Sequence, residues 1–455
     1  GLIAAYAQLH HIDLNKTDIP IILAAPTGRA ARRMNELTGL PSATIHRHLG
    51  LNGDNDYQAM DDYLDCDLII IDEFSMVDTW LANQLFSVIA STTQVIIVGD
   101  SDQLPSVGPG QVLSDLLKID TLPQLALTKI FRQSEDSTIV TLANQMRQGQ
   151  LPADFTQKKP DRSYFEASAT YIPNMIAKIV QSAVKSGINP QEIQILAPMY
   201  RGAAGINRLN TIIQDLLNPL DNQQDFAFGE MSFRKGDKIL HLINDAELNV
   251  FNGDIGYITD LIPAKYTESK QDELYLSFDG NEVIYPRNEW HKITLAYAMS
   301  IHKSQGSEFQ VVILPITHQS RRLLQRNLIY TAITRSKSKL VMLGELAAFD
   351  YAIKNEGDKR KTYLVQRFSN DNLAQETAEK QVETPQETAT PENQNYQNVA
   401  VPADTAVEEQ IQLTLDIDNQ VEQETQAYRL TEENIPFIDP MIGLTTADIE
   451  RFFKS

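Results

Sequence analysis

Apolar runs of four or five residues punctuate the first third of the chain: Ile21–Ala25, Leu68–Ile71 and Val95–Val98. Runs this short are too brief for globular helices and suit strands buried on both faces of a parallel sheet. Between them lie polar stretches with helical spacing, Arg29–Glu36 and Thr79–Ile89. Strand and helix in alternation predict a parallel α/β domain over residues 1–150. A second α/β pattern begins near Tyr164, with strands expected at Ile193–Ala197, Val311–Leu314 and Leu340–Leu343, and is assigned to residues 151–232 and 291–368. Residues 233–290 interrupt it with short strand-like runs set off by Asn252-Gly253-Asp254, Pro263 and Asp279-Gly280, the turn spacing of a small all-β insertion. Residues 51–65 (LNGDNDYQAMDDYLD) are an acidic insertion with little periodicity. Residues 369–434, rich in Gln, Glu, Thr, Asn and Pro, predict a disordered linker. Apolar residues return in 435–455, a segment expected to dock back or to bind a partner.

The most apolar of these strands delivers two acids. Leu68–Ile71 runs directly into Asp72 and Glu73, and in open α/β sheets ligands collect beyond the carboxyl ends of the strands. One acid could hold Mg²⁺ through water while the other orients or deprotonates an attacking water. Acids also suit a helix N-terminus, so the pair alone is not diagnostic. Val95–Val98 repeats the design with Gly99, Asp100, Ser101, Asp102 and then Gln103. A neutral amide there can bond a water and a terminal phosphate oxygen together.

Other segments are rich in donors. Pro26 and Thr27 lead from Ile21–Ala25 into a helix start carrying Arg29, Arg32 and Arg33. Small residues permit close backbone approach, and a helix N-terminus suits phosphate. Thr44-Ile45-His46-Arg47-His48 is a second basic cluster, with no Cys or third His near enough in sequence for zinc. In Ser300–Phe309 (SIHKSQGSEF), His302, Lys303 and Ser304 could grip a phosphodiester, and Glu308 could accept from a ribose hydroxyl. Arg132 and Arg335 lie near the ends of the two patterns and suit bidentate phosphate binding. Taken singly, each of these segments also reads as an ordinary polar surface.

Composition changes the picture in three places. The net charge of −21 argues superficially against nucleic acid, yet residues 371–455 hold 18 acids against four Lys or Arg and carry −14 of it. The remainder is mildly acidic and can still present basic surfaces. A single cysteine, Cys66, excludes an internal disulfide and a cysteine metal cluster, so a reducing, cytoplasmic compartment is expected. No apolar run approaches the roughly 20 residues that span a bilayer, and no membrane role is expected. The opening Gly1-Leu2-Ile3-Ala4-Ala5-Tyr6-Ala7 has neither an initiating Met nor a charged start and reads as the middle of an amphipathic helix, so a fragment or processed product is expected.

Nine runs in order resemble the superfamily 1 helicases of the RecD-like branch: LAAPTGRAARRM, ATIHRHLG, LIIIDEFSMVDT, VIIVGDSDQLPSVGPG, LTKIFRQ, ILAPMYRGAAGINRLN, VFNGDIG, AYAMSIHKSQGSEF and LIYTAITRSKSKLVM. The resemblance implies two RecA-like parallel-sheet domains with ATP and Mg²⁺ between them, an SH3-like all-β insertion at 233–290 in the second, and single-stranded DNA across the top. It implies that Asp72 holds the Mg²⁺ through water, Glu73 activates water, Gln103 senses the γ-phosphate, and Arg132 and Arg335 reach the triphosphate. Glu308, with Gln305 and Gly306 beside it, matches the nucleotide-binding segment near the ribose. Pro26, Thr27, Thr44, His46, His302, Lys303 and Ser304 fall in motifs that contact DNA, and 51–65 sits where relatives carry a strand-splitting pin. Movement from 5′ to 3′ on single-stranded or forked DNA, as a monomer in recombination or repair, is the implied activity, with a protein partner for the acidic tail as a further option. The family opens its ATPase domain with a GxxxxGK[ST] loop that wraps the phosphates, and the 455 residues contain none. The expectation is a helicase cut just after that loop, which alone hydrolyses ATP negligibly. A non-catalytic DNA-binding or scaffold protein derived from a helicase is the alternative, and a nucleotidase without DNA is a weaker third.

Overall fold

The computed structural model describes residues 1–16, 18–51, 63–127, 137–221, 224–245, 247–357 and 360–369. Most of the expected pin, Arg132, the linker after its first residue and the segment 435–455 lie outside the described residues.

Four strands, β1 (Ile21–Ala25), β2 (Ala43–Thr44), β3 (Leu68–Ile71) and β4 (Gln94–Ile97), form a wholly parallel sheet in the order β2-β1-β3-β4. β3 is buried at every position, as an unbroken aliphatic run requires in the middle of a two-sided sheet. β4 lies at the edge and begins one residue before the apolar run, leaving Val95 and Val98 37% and 44% exposed. The helix Gly28–Thr38 starts where Thr27 Oγ1 accepts from Ala30 N and stops at Gly39, whose φ of 70° suits a residue without Cβ. The helix Thr79–Ser87 is capped by Asp78, which accepts from Leu81 N at 2.8 Å. Ala30, Ala31 and Met34 share one core with Leu23 and Ile70, and Leu81, Leu85 and Phe74 share the other with Ile69 and Ile71. Because the strands run the same way, the ends at Ala25, Thr44, Ile71 and Ile97 lie along one edge.

β5 (Arg162–Glu166) and β6 (Ile193–Ala197) start a second parallel sheet. An antiparallel hairpin follows, β7 (Asp225–Phe228) with β8 (Met231–Arg234). Five strands then form an antiparallel sheet, β9 (Lys238–His241), β10 (Ile255–Ile262), β11 (Glu273–Phe278), β12 (Asn281–Pro286) and β13 (Ile293–Leu295), in the order β12-β11-β10-β9-β13. β14 (Ala298–Ser300), β15 (Phe309–Ile316) and β16 (Ser336–Gly344) complete the second parallel sheet in the order β14-β6-β15-β16-β5. The chain thus has two parallel sheets of the RecA-like kind and an antiparallel SH3-like module. Along β11, Leu274, Leu276 and Phe278 point inward at alternate positions, the period of a half-buried strand. Trp290 gathers Phe226, Phe228 and Phe233 around it at centroid distances of 5.6 to 6.1 Å. The core they enter also holds Ile176, Val180, Leu209 and Ile213 from helices Ile172–Lys185 and Ile206–Leu217 on the second sheet.

Two boundaries differ from those read in the sequence. The helix Thr138–Arg147, expected in the first domain, packs on the helix Arg326–Thr334, and its Ile139, Leu142, Ala143 and Met146 join the second domain's core. An amphipathic pattern shows that a face is buried but not which sheet covers it. The module runs past residue 290, because β13 pairs with β9.

Candidate functional site

Asp72 and Glu73 emerge where β3 stops. Asp72 N still donates to Ala24 O at 3.0 Å, continuing the ladder with β1, and Glu73 N donates to Asp72 Oδ1 at 2.8 Å. Glu73 takes a left-handed conformation, φ 52° and ψ 38°. Such a conformation is unfavourable for a residue with a Cβ, and strain of this kind clusters at functional sites. Both carboxylates are half-buried. Next to them passes Gly99, at the end of β4. A Cβ on Gly99 would lie 3.2 Å from Phe74 N and Ser75 N and 2.8 Å from Leu113 Cδ2, so the two strand ends meet closely only because this residue lacks one.

The segment after Gly99 reaches the second domain. Gln103, only 8% exposed, donates through Nε2 to Asp100 Oδ2 at 3.3 Å, and its Oε1 accepts from Arg335 Nη2 at 3.0 Å. Arg335 is 2% exposed and also donates to Thr331 O, Ser307 O and Thr334 Oγ1. Leu104 is stitched on both sides, with its N donating to Thr331 Oγ1 at 2.8 Å and its O accepting from Gln305 Nε2 at 3.0 Å. Tyr330 OH donates to Asp100 Oδ2 at 2.9 Å, and burial, followed by the Asp100 charge, pushes its phenol up. Burial likewise raises Asp102, with Asp100 adding to it. The segment that begins at Gln103 therefore carries the joint between the two sheets.

The donor-rich segments meet at a second place. Gly306, at φ 72°, lies with its Cβ position 3.5 Å from Thr27 Oγ1. Thr27 and Thr44 both cap short helices, accepting from Ala30 N and Arg47 N, with Pro26 half-buried beside Thr27 and Thr44 almost fully buried. His46 is half-buried and held below the usual imidazole range by burial, opposed by Asp78. His302 is exposed, and Lys303 Nζ donates to Asn252 Oδ1 at 2.9 Å. Ser304 departs from the expectation of a DNA contact. It is fully buried and its hydroxyl donates to Ile301 O at 2.7 Å, so it shapes the turn instead of facing solvent. Gln305 serves the joint between the domains. Glu308 lies 3.6 Å from Arg33 and 3.4 Å from Lys337, so its carboxylate is already engaged by two cations.

The basic helix start also differs from its reading as phosphate-facing charge. Arg32 Nη2 pairs with Asp254 at 2.7 Å and bonds Asn249 O, while Nη1 pairs with Asp279 at 3.1 Å. Arg29 stands over the Phe309 ring at 5.6 Å, and burial depresses its guanidinium. Gly28 packs so closely on Phe251 that a Cβ would approach the ring to 2.5 Å. The turn Phe251–Asp254 was legible as a turn; its role in holding both the Gly28 helix and Lys303 was not.

Chemically, Asp72 offers a hard oxygen to a divalent cation, Glu73 a carboxylate beside it, and Gln103 and Arg335 one amide and one guanidinium suited to phosphate oxygens. Among the described residues no three His, Cys, Asp or Glu converge, so Mg²⁺ at Asp72 would complete its shell with water and phosphate oxygens, as that ion commonly does. The residues present fit the terminal end of a nucleoside triphosphate.

Comparison with known proteins bears on about three quarters of the chain. Residues 4–167 match the model of an AAA domain, residues 295–343 that of the UvrD-like helicase C-terminal domain, and residues 209–278 that of the ATP-dependent RecD-like DNA helicase SH3 domain. The ATP-dependent RecD2 DNA helicase of Deinococcus radiodurans is 32% identical over 346 residues, covering 76% of this chain and 46% of that protein. The RecBCD enzyme subunit RecD of Mycolicibacterium smegmatis is 28% identical over 368 residues, 74% of this chain and 64% of that one. The chain thus spans about half to two thirds of the length of these curated relatives. Among solved structures, Pif1 helicase from Bacteroides in complex with ADP-AlF3 and ssDNA aligns at 20% identity and a TM-score of 0.47, covering 79% of this chain and 89% of that one.

Proposed function

Since the chain belongs to the RecD-like superfamily 1 helicases, we propose that the full-length natural protein is an ATP-driven DNA helicase and that the joint carrying Gln103 and Arg335, with Asp72 and Glu73 at the end of β3, is its nucleotide site. The observation that carries this reading is the bond from Arg335 to Gln103, which joins the two parallel-sheet domains through the segment that leaves Gly99 beside Phe74 and Ser75. Gln103 and Arg335 each suit a γ-phosphate oxygen. A charged phosphate is a stronger acceptor for a guanidinium than a neutral amide, so the terminal phosphate would compete for Arg335 and its loss would return the pair to one another. In this reading Asp72 holds Mg²⁺ through water, Glu73 orients and deprotonates the attacking water, and Arg132 joins Arg335 at the phosphates. Gly306 and Glu308 border the nucleotide, with Gln305 fixing the loop between them.

Single-stranded DNA, or the single-stranded arm of a fork, would cross Pro26, Thr27, Thr44, His46, His302 and Lys303, gripped mainly through phosphates and therefore with little regard to sequence. Translocation is 5′ to 3′, the setting is recombination or repair in the cytoplasm, and the acidic tail is a site for a protein partner. The 455 residues contain no GxxxxGK[ST], and by themselves they should turn over ATP negligibly even with saturating single-stranded DNA. Steady-state hydrolysis at the wild-type rate would overturn that.

The test of the reading is Glu73→Gln in the full-length protein. Loss of a general base lowers turnover by on the order of 10²–10⁴, whereas ATP and DNA binding should persist. Turnover within about tenfold of wild type would remove Glu73 from the base role. A non-catalytic DNA-binding protein would show salt-dependent binding to oligo-dT and no hydrolysis in either form.

A further inference from the structure

Past its last helix, Leu346–Lys354, the second domain sends the chain back toward the first. The start of this strap is fastened to the helix Arg326–Thr334, which leads into Arg335. Asn355 Nδ2 donates to Leu324 O, and Asn355 O accepts from Arg326 N, both at 2.8 Å. Arg326 Nε donates to Ile353 O at 2.7 Å, and its Nη1 pairs with Glu356 at 3.0 Å. Five residues beyond Asn355, Arg360 reaches the loop that follows Gln103. Its Nη1 donates to Gly110 O at 2.6 Å, Gly108 O at 2.7 Å and Ser106 Oγ at 3.3 Å, and its Nη2 donates to Ser106 O at 2.6 Å. Leu364 then packs against the first domain's core with Val112 and Leu113.

Cβ atoms at Gly108 and Gly110 would come within 1.9 Å of Asp78 and Thr79 side-chain oxygens, so the backbone lies flat on that helix start. Thr79 N donates to Pro109 O at 2.9 Å and Ser106 Oγ to Gly108 O at 3.1 Å. Three carbonyls and a hydroxyl of the loop converge in addition on one planar guanidinium. Arg is the side chain with enough donors in a fixed fork to serve them all, and a lysine ammonium cannot match that geometry.

We propose that Arg360 is a positioning residue for nucleotide response. It fixes the backbone of Ser106–Gly110 and so keeps Gln103 in register with Arg335. The proposal rests on the nucleotide reading of that joint. In the full-length protein, Arg360→Ala should raise the apparent KM for ATP by on the order of tenfold, the loss expected for charge-assisted bonds. Affinity for single-stranded DNA without nucleotide should stay within about twofold, and Arg360→Lys should not restore KM. In the 455-residue chain, hydrogen exchange at the amides of residues 104–110 should quicken in Arg360→Ala while those of β3 keep their protection.

Unchanged KM with unchanged exchange overturns the proposal. So does faster exchange spread over the whole first domain, since that marks a merely structural role. Absence of DNA-stimulated hydrolysis in the wild-type full-length protein would sink the nucleotide reading and this proposal with it. The exchange measurement does not depend on hydrolysis, and it would still show whether Arg360 holds the loop.

Discussion

At the joint between the two parallel sheets, Arg335 is buried, with an amide oxygen, two carbonyls and a hydroxyl among its acceptors. At the module, Arg32 meets two carboxylates, Asp254 and Asp279, and the Gly28 helix presses on Phe251. The first arrangement includes a neutral amide oxygen, which bonds a guanidinium less strongly than a phosphate does. The second compensates charge with charge and adds close packing, leaving nothing for an anion to improve. The same first domain thus meets the rest of the chain through one joint built to respond and one built to hold. Changes at the joint should show in kinetics, and changes at the module seam in stability.

The largest stability effect expected at the seam is a pH effect. His241 in β9 is fully buried, with Nε2 at 2.7 Å from Tyr285 OH and Nδ1 at 2.7 Å from Ile243 O, and its backbone bonds Gly253 and Asp254 of the clasping turn. Burial lowers its imidazole to about 4. The unfolded chain, near 6.5, binds the proton first, so stability rises with pH across this window. As pH falls from about 6.5 toward about 4, about 3 kcal/mol should be lost from this group. Denaturant melts between pH 7 and 4 read it, and a His241→Gln chain should show a flatter profile. A slope of opposite sign would contradict the burial argument.

A smaller effect is expected from Gly28→Ala. The added methyl must displace the Phe251 ring, at a cost of about 1–3 kcal/mol for overpacking, partly offset by the better helix propensity of Ala. Unaltered stability would mean that the ring moves freely and does not clasp the helix. Smallest is the Arg32–Asp254 pair. A double-mutant cycle to Ala should return a coupling of about 1 kcal/mol, shrinking as salt is raised, because Arg32 is half-buried rather than enclosed. A zero coupling at low salt would make packing alone responsible for the seam.

Much of the fold was legible because its signal was local. β1, β3 and β6 coincide with the apolar runs Ile21–Ala25, Leu68–Ile71 and Ile193–Ala197, since strands buried on both faces write their burial directly into composition. β2 and β14 escaped notice at two and three residues long, too short for any period. The helix Thr138–Arg147 was not singled out in the sequence, and its partner sheet depends on long-range packing. At the site, the strand ends presenting Asp72, Glu73 and Gln103 were readable, and Asn252, Asp254, Tyr330 and Arg360 were not assigned a role. Their work is to accept or donate across contacts separated by dozens to hundreds of residues, which no single-sequence period records. Ser304 shows the converse, a hydroxyl in a donor-rich motif that folds inward to its own turn.

The central claim is that Gln103 and Arg335 act as one unit on a terminal phosphate. DNA-stimulated ATP hydrolysis in the full-length protein should be measured for Gln103→Ala, Arg335→Ala and both together. Residues that act as a unit are strongly non-additive, so each single change should cost on the order of 10²-fold in kcat, and the pair should cost little more than the worse single. Losses that multiply, or three variants hydrolysing ATP as the wild type does, would contradict the account.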